Sequence, residues 1–138
     1  MFVLISGPAK VEYYPKTPST TIAAGALVTF NNGKLVPASS ASSKHIGVAL
    51  RGSAPGDAYG DYDQATMIPV LVPSQDAIFE ADATNLTSNL VGKTMDLSDS
   101  VTVDGSSDSH HAVTLVKYLS PTKGYFKINS LVTYTPGV

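Results

Sequence analysis

The sequence predicts an all-β fold: a small β-barrel, β-tulip or sandwich of short antiparallel strands, preceded by an extended N-terminal arm. Three observations point there. Short apolar runs recur between turn residues about every 8–12 positions, the spacing of sandwiches and barrels. Asn32-Gly33 lies between the apolar runs Leu27–Phe30 and Lys34–Pro37, and Asn-Gly in that setting is the strongest short hairpin signal. The 9 prolines and 11 glycines interrupt the chain so often that no long stretch keeps a helical period.

Residues 1–21 form the expected arm, and residues 22–138 a single β-barrel-like domain. In the arm, Pro8, Pro15 and Pro18 forbid a helix of useful length and push their preceding residues to extended shapes. It carries two apolar patches, Phe2–Ile5 and Val11–Tyr14. An ordinary first strand with a linker is the alternative for this segment. In the Asn-Gly hairpin both turn residues accept positive φ. With those two as the loop, Phe30 pairs with Leu35 and Val28 with Pro37. A small polar loop, Ala38–Lys44, leads to a third strand over His45–Leu50.

Arg51–Gln64 reads as a long irregular loop bearing Tyr59 and Tyr62, amphipathic aromatics of the kind favoured at interfaces. The most apolar stretch follows, Ala65–Ala83. It predicts strands over Met67–Val72 and Asp76–Ala81 around a Pro-Ser-Gln corner. Pro69 and Pro73 each lack a backbone donor, which places Met67–Val72 at a sheet edge or rim. An apolar edge needs a cover, from the same chain or another. Ile78 and Phe79 are expected on opposite faces of the second strand.

Thr84–Gly92 reads as one helical turn capped by Thr84 and carrying Leu86 and Leu90, or as a covered loop. Short strands are expected over Lys93–Leu97 and Val101–Val103. The polar loop Asp104–His111 comes next, then a strong strand over Ala112–Leu119. The turn Ser120–Gly124 returns the chain through Tyr125–Ile128, with a last strand over Leu131–Tyr134.

Composition narrows the function. Charged residues make up 14% of the chain, against roughly 25% in average soluble domains. Subunits that bury much of their surface in an assembly need less charge. A net charge of −2 offers no footprint for nucleic acid. With 0 cysteines there is no disulfide, thiolate site or Cys nucleophile. No apolar run reaches the roughly 20 residues of a membrane helix, and Phe2–Ile5 is too short for a signal-peptide core.

Candidate chemistry is sparse. His110 and His111 are adjacent, so in an extended chain they point to opposite sides and do not readily share a metal. Asp57, Asp61 and Asp63 depart from the spacing of a calcium loop. Glu80 and Asp82 fall on one strand face and would mimic a carboxylate pair, but no Trp supplies a sugar platform. No nucleophile elbow, P-loop or dinucleotide fingerprint occurs. No enzyme, cofactor or metal site is expected.

Three stretches carry a family resemblance: Gly25–Pro37 followed by Ile46–Leu50, the central Ile68–Asp82, and Leu90–Ser107 leading into Ala112–Leu119. In this order, over residues 22–128, the chain resembles the capsid decoration, or cement, proteins of tailed bacteriophages. The resemblance implies a structural protein on the outside of a virion, made in the host cytoplasm. It would form a homotrimer that bridges and stabilises neighbouring major capsid proteins, with no nucleic-acid or membrane partner. Extended termini often make the attachment in such families. The contact residues are then expected among Phe2, Val3, Leu4, Ile5, Tyr13, Tyr14, Tyr59 and Tyr62. A virion-borne β-sandwich that recognises carbohydrate or a cell surface is the alternative.

Overall fold

The computed structural model describes residues 1–17, 20–42, 44–53 and 67–129. In chain order the strands are β1 (Val3–Ser6), β2 (Ala9–Tyr14), β3 (Leu27–Asn31), β4 (Lys34–Pro37), β5 (Gly47–Ala49) and β6 (Ile68–Pro73). They continue as β7 (Ile78–Thr84), β8 (Thr94–Asp99), β9 (Thr102–Asp104), β10 (Val113–Ser120) and β11 (Lys123–Ile128). The fold is all-β, as the sequence predicts.

One sheet closes into a five-stranded barrel. Its order is β7-β11-β10-β8-β9, and β9 returns to pair in parallel with β7 through Asp82–Thr102, Ala83–Val103 and Thr84–Asp104. Strand alternation on β7 sends Phe79, Ala81 and Ala83 inward, where they pack with Leu97, Leu115 and Phe126. Glu80 and Asp82 point outward, and Ile78 is only half-buried on the face opposite Phe79. The first half of β7 is left to β1, with Val3 opposite Glu80 and Leu4 opposite Phe79.

The second sheet has the order β2-β6-β5-β3-β4 and curls around its own core of Ile22, Val28, Leu35, Ile46, Ile68 and Val70. Its ends are drawn together by the chain just after β2. The Leu35 amide donates to the Pro15 carbonyl at 2.8 Å, and the Thr17 amide donates to the Leu35 carbonyl at 2.9 Å. Lys16, between them, is fully buried and donates from Nζ to the Thr20 carbonyl at 2.6 Å. The β3–β4 hairpin has the expected register, Phe30 against Leu35 and Val28 against Pro37, and its turn residues Asn32 and Gly33 have φ of 53° and 79°.

The central apolar stretch is the spine that joins the two sheets. β6 lies in the second sheet and β7 in the barrel; beside them β1 and β2 make the same crossing in the opposite direction. This corrects the edge expected at Met67–Val72. β6 is an interior strand, paired with β2 along its whole length and with β5 at Val70 and Leu71. The prolines fit because their missing donors face the short strand. The Leu50 amide donates to the Pro69 carbonyl at 2.9 Å, just where the β5 pairing ends. Pro73 points the same way, beyond the other end of β5.

The extended arm expected for residues 1–21 is not confirmed: its described part is taken up as β1 and β2. The helical turn is a single turn of 3-10 helix over Ser88–Leu90, preceded by Thr87 rather than capped by Thr84, with Leu86 buried before it. The loop bearing Tyr59 and Tyr62 and the strand expected over Leu131–Tyr134 lie outside the described residues.

Candidate interaction surface

β1 and β2 end their respective strand orders, so among the described residues the first 14 supply an open margin to both sheets. Their sequences supply apolar side chains to that margin. Val3 and Ile5 are each 44% exposed, Val11 47% and Tyr13 49%. Leu50, at the end of β5, adds another exposed apolar side chain. Scattered surface leucines need no explanation, but a contiguous apolar margin marks a place where other molecules bind.

Between β1 and the outer face of the second sheet runs a groove of about 310 Å³. Met1–Leu4 form one wall; Ala24, Gly25, Val48–Leu50 and Leu71 form the other. Two hydrogen bonds fix its floor: the Phe2 amide donates to the Gly25 carbonyl at 2.8 Å, and the Gly25 amide to the Ala49 carbonyl at 2.7 Å. Val11 lies opposite Leu71 on the neighbouring strand, so the exposed face of β2 continues the groove.

The expected contact residues therefore divide. Val3 and Leu4 line the groove, Leu4 half-buried against the barrel core, while Ile5 and Tyr13 are exposed on β1 and β2 outside its lining. Phe2 is a core residue, 2% exposed, because strand alternation turns it under the groove. Tyr14 turns into the second sheet and stacks edge-on against Phe30, with ring centroids 5.0 Å apart. Tyr59 and Tyr62, with Asp57, Asp61 and Asp63, lie outside the described residues. Leu50 and Met1 were missed by sequence reasoning; only the fold brings them beside β1.

The polar candidates serve the fold. Glu80 and Asp82 share Lys123, whose Nζ lies 3.4 Å from Glu80 and 3.8 Å from Asp82. Asp82 also accepts from the Met1 amine at 2.9 Å, which holds its carboxyl below the usual range. His110 and His111 go to different carboxylates. His111 Nδ1 lies 2.7 Å from Asp108, which also accepts from Thr94 Oγ1 at 2.8 Å. His110 Nδ1 lies 3.6 Å from Asp96.

Asp96 is the buried anchor of this loop. Its Oδ2 accepts from Ser107 Oγ at 2.7 Å and the Ser109 amide at 2.8 Å; its Oδ1 accepts from the amides of His110 at 2.6 Å and His111 at 3.1 Å. Burial alone raises a carboxyl, but these four donors override it and hold Asp96 far below the usual range. His45 is the opposite case. It is fully buried, and neither ring nitrogen makes a hydrogen bond of normal geometry. Burial pushes it down from 6.5 to about 4, and the Asn129 backbone offsets that only in part. Among the described residues no three His, Asp or Glu side chains converge as metal ligands.

No protein-family model matches the chain, and no curated protein matches its sequence.

Proposed function

We propose that this chain is a structural subunit of a protein shell, a capsid decoration protein of a tailed bacteriophage that stabilises the outside of the virion by bridging neighbouring major capsid proteins, as a trimer. The observation that carries the reading is the apolar margin of β1, with Val3 and Leu50 exposed in the walls of a groove of about 310 Å³ and Ile5 exposed further along the strand. Such a groove suits an apolar segment of another protein. The low charge content and the resemblance of residues 22–128 support the same reading. Repetition over a shell multiplies a modest affinity at each site, so a groove of this size suffices.

The test is to add the purified protein to undecorated phage heads and measure their resistance to heat. The reading expects saturable binding and a higher disruption temperature. Heads that neither bind the protein nor gain heat resistance would refute it.

A further inference from the structure

Among the described residues, the backbone of β2 is open along one edge. The Ser74 amide donates to the Pro8 carbonyl, so the even-numbered positions of this strand turn their backbone groups toward β6. The odd-numbered positions turn theirs away, as the bond from Leu35 to the Pro15 carbonyl shows. Ala9, Val11 and Tyr13 thus aim their N–H and C=O groups outward, and among the described residues no strand pairs with them. Edge strands usually carry a device that blocks further pairing, such as a proline, a bulge or an inward charge. Between Ala9 and Tyr13 there is neither proline nor bulge, since the register with β6 is unbroken, and the two charges on the strand, Lys10 and Glu12, are opposite in sign.

The sequence of that edge, Ala9-Lys10-Val11-Glu12-Tyr13, is complementary to itself when reversed. Set two copies antiparallel with Val11 opposite Val11. Lys10 of each then faces Glu12 of the other, and Ala9 faces Tyr13. The outward-pointing backbone groups fall at the hydrogen-bonded positions of this register, giving about six hydrogen bonds across the seam. Shifting by one pair in either direction sets Lys10 against Lys10 or Glu12 against Glu12, which repels. A parallel alignment in register also opposes like charges. Lys10, exposed, and Glu12, half-buried, now pair within one strand at 3.4 Å, and each could exchange that bond for one to a partner strand.

We propose that β2 is a self-association edge: two copies of this chain join across a twofold axis by antiparallel β2–β2 pairing centred on Val11, which fuses their second sheets into one continuous sheet. The contact is isologous and closes at two copies, so it is distinct from any threefold contact; it uses the backbone edge of β2 rather than the face that continues the β1 groove. It places Val11 and Tyr13 of both copies on one joined apolar face.

The test exploits the absence of cysteine from the chain. At a hydrogen-bonded antiparallel pair the Cα atoms lie about 5.5 Å apart, within reach of a disulfide. Val11→Cys should cross-link to a covalent dimer under mild oxidation. Ala9→Cys or Tyr13→Cys alone should not, because like positions are then roughly 14 Å apart along the strand. The Ala9→Cys/Tyr13→Cys double variant should cross-link. In sedimentation equilibrium, Lys10→Glu or Glu12→Lys alone should weaken the dimer about tenfold, and the two together should restore it. Thermal unfolding of each variant checks the fold, since all these side chains are solvent-accessible. A monomer at every concentration, equal cross-linking at the three single positions, or charge reversals without effect would each overturn the proposal.

Discussion

His45 gives the protein a specific weakness to acid. The folded state holds the imidazole fully buried with, among the described residues, no hydrogen bond of normal geometry on either nitrogen, and its value falls from 6.5 to about 4. The unfolded chain therefore takes up the proton first as pH drops. Above pH 6.5 neither state is protonated and His45 imposes no pH-dependent cost. Between 6.5 and about 4 the unfolded state gains protons that the folded state refuses, and stability falls throughout that window. At about 1.4 kcal/mol per pH unit, the full loss is ~3 kcal/mol, a large part of the stability of a small domain. Urea unfolding at pH 7.5, 5.5 and 4 measures it. His45→Leu removes the proton site, so the variant should lose ~3 kcal/mol less than the parent over that range. Every other ionisable group is common to the two proteins, so the difference isolates His45. At pH 7.5 the variant should match or exceed the parent, because two unsatisfied ring nitrogens have left the core. Parallel stability curves for the two proteins would refute the reasoning.

Asp96→Ala strands four donors and should cost ~3 kcal/mol at neutral pH by chemical denaturation. It should also remove the loss that the parent suffers as pH falls below about 4 toward the depressed folded value of Asp96. Gly47→Ala drives a Cβ into the Leu71 carbonyl oxygen; prising β5 from β6 should cost ~3 kcal/mol in the same assay. Gly33→Ala meets no neighbour but must hold a φ of 79°, so a loss of about 1 kcal/mol should appear without any change in the hairpin pairing seen by NMR. Phe79→Ala, at the centre of the barrel, should cost about 3–5 kcal/mol in thermal unfolding.

Local chemistry made much of the fold legible. Asn32-Gly33 fixed both the turn and the register of its hairpin, because positive φ at two successive residues admits few sequences. Alternation placed Phe79 inside and Glu80 outside. The error at β6 has a clear cause. Pro69 and Pro73 mark strand positions without a neighbour's acceptor, but that absence was local: β5 is only three residues long, and β6 is still interior. The open margin falls on β1 and β2, whose prolines suggested an arm. Pro8 and Pro15 instead flank β2, one at the crossing between sheets and one where the chain turns onto β4. The site was half legible for a related reason. Apolarity alone selected Phe2 with Val3, Leu4 and Ile5, but only the pairing of β1 with β7 decides which of them face in. Asp96 gave no sequence signal, since its donors come from residues 107–111 and meet it only through the fold.

On the proposed function, the β1 margin would be the surface that grips a shell. Co-sedimentation with undecorated heads, comparing the parent with a Val3→Lys/Ile5→Lys variant, tests it most directly. Both side chains are exposed, so the variant should unfold at nearly the same temperature as the parent. The parent should bind saturably and the variant with at least a tenfold weaker affinity. Equal binding by both, or none by the parent, would contradict it.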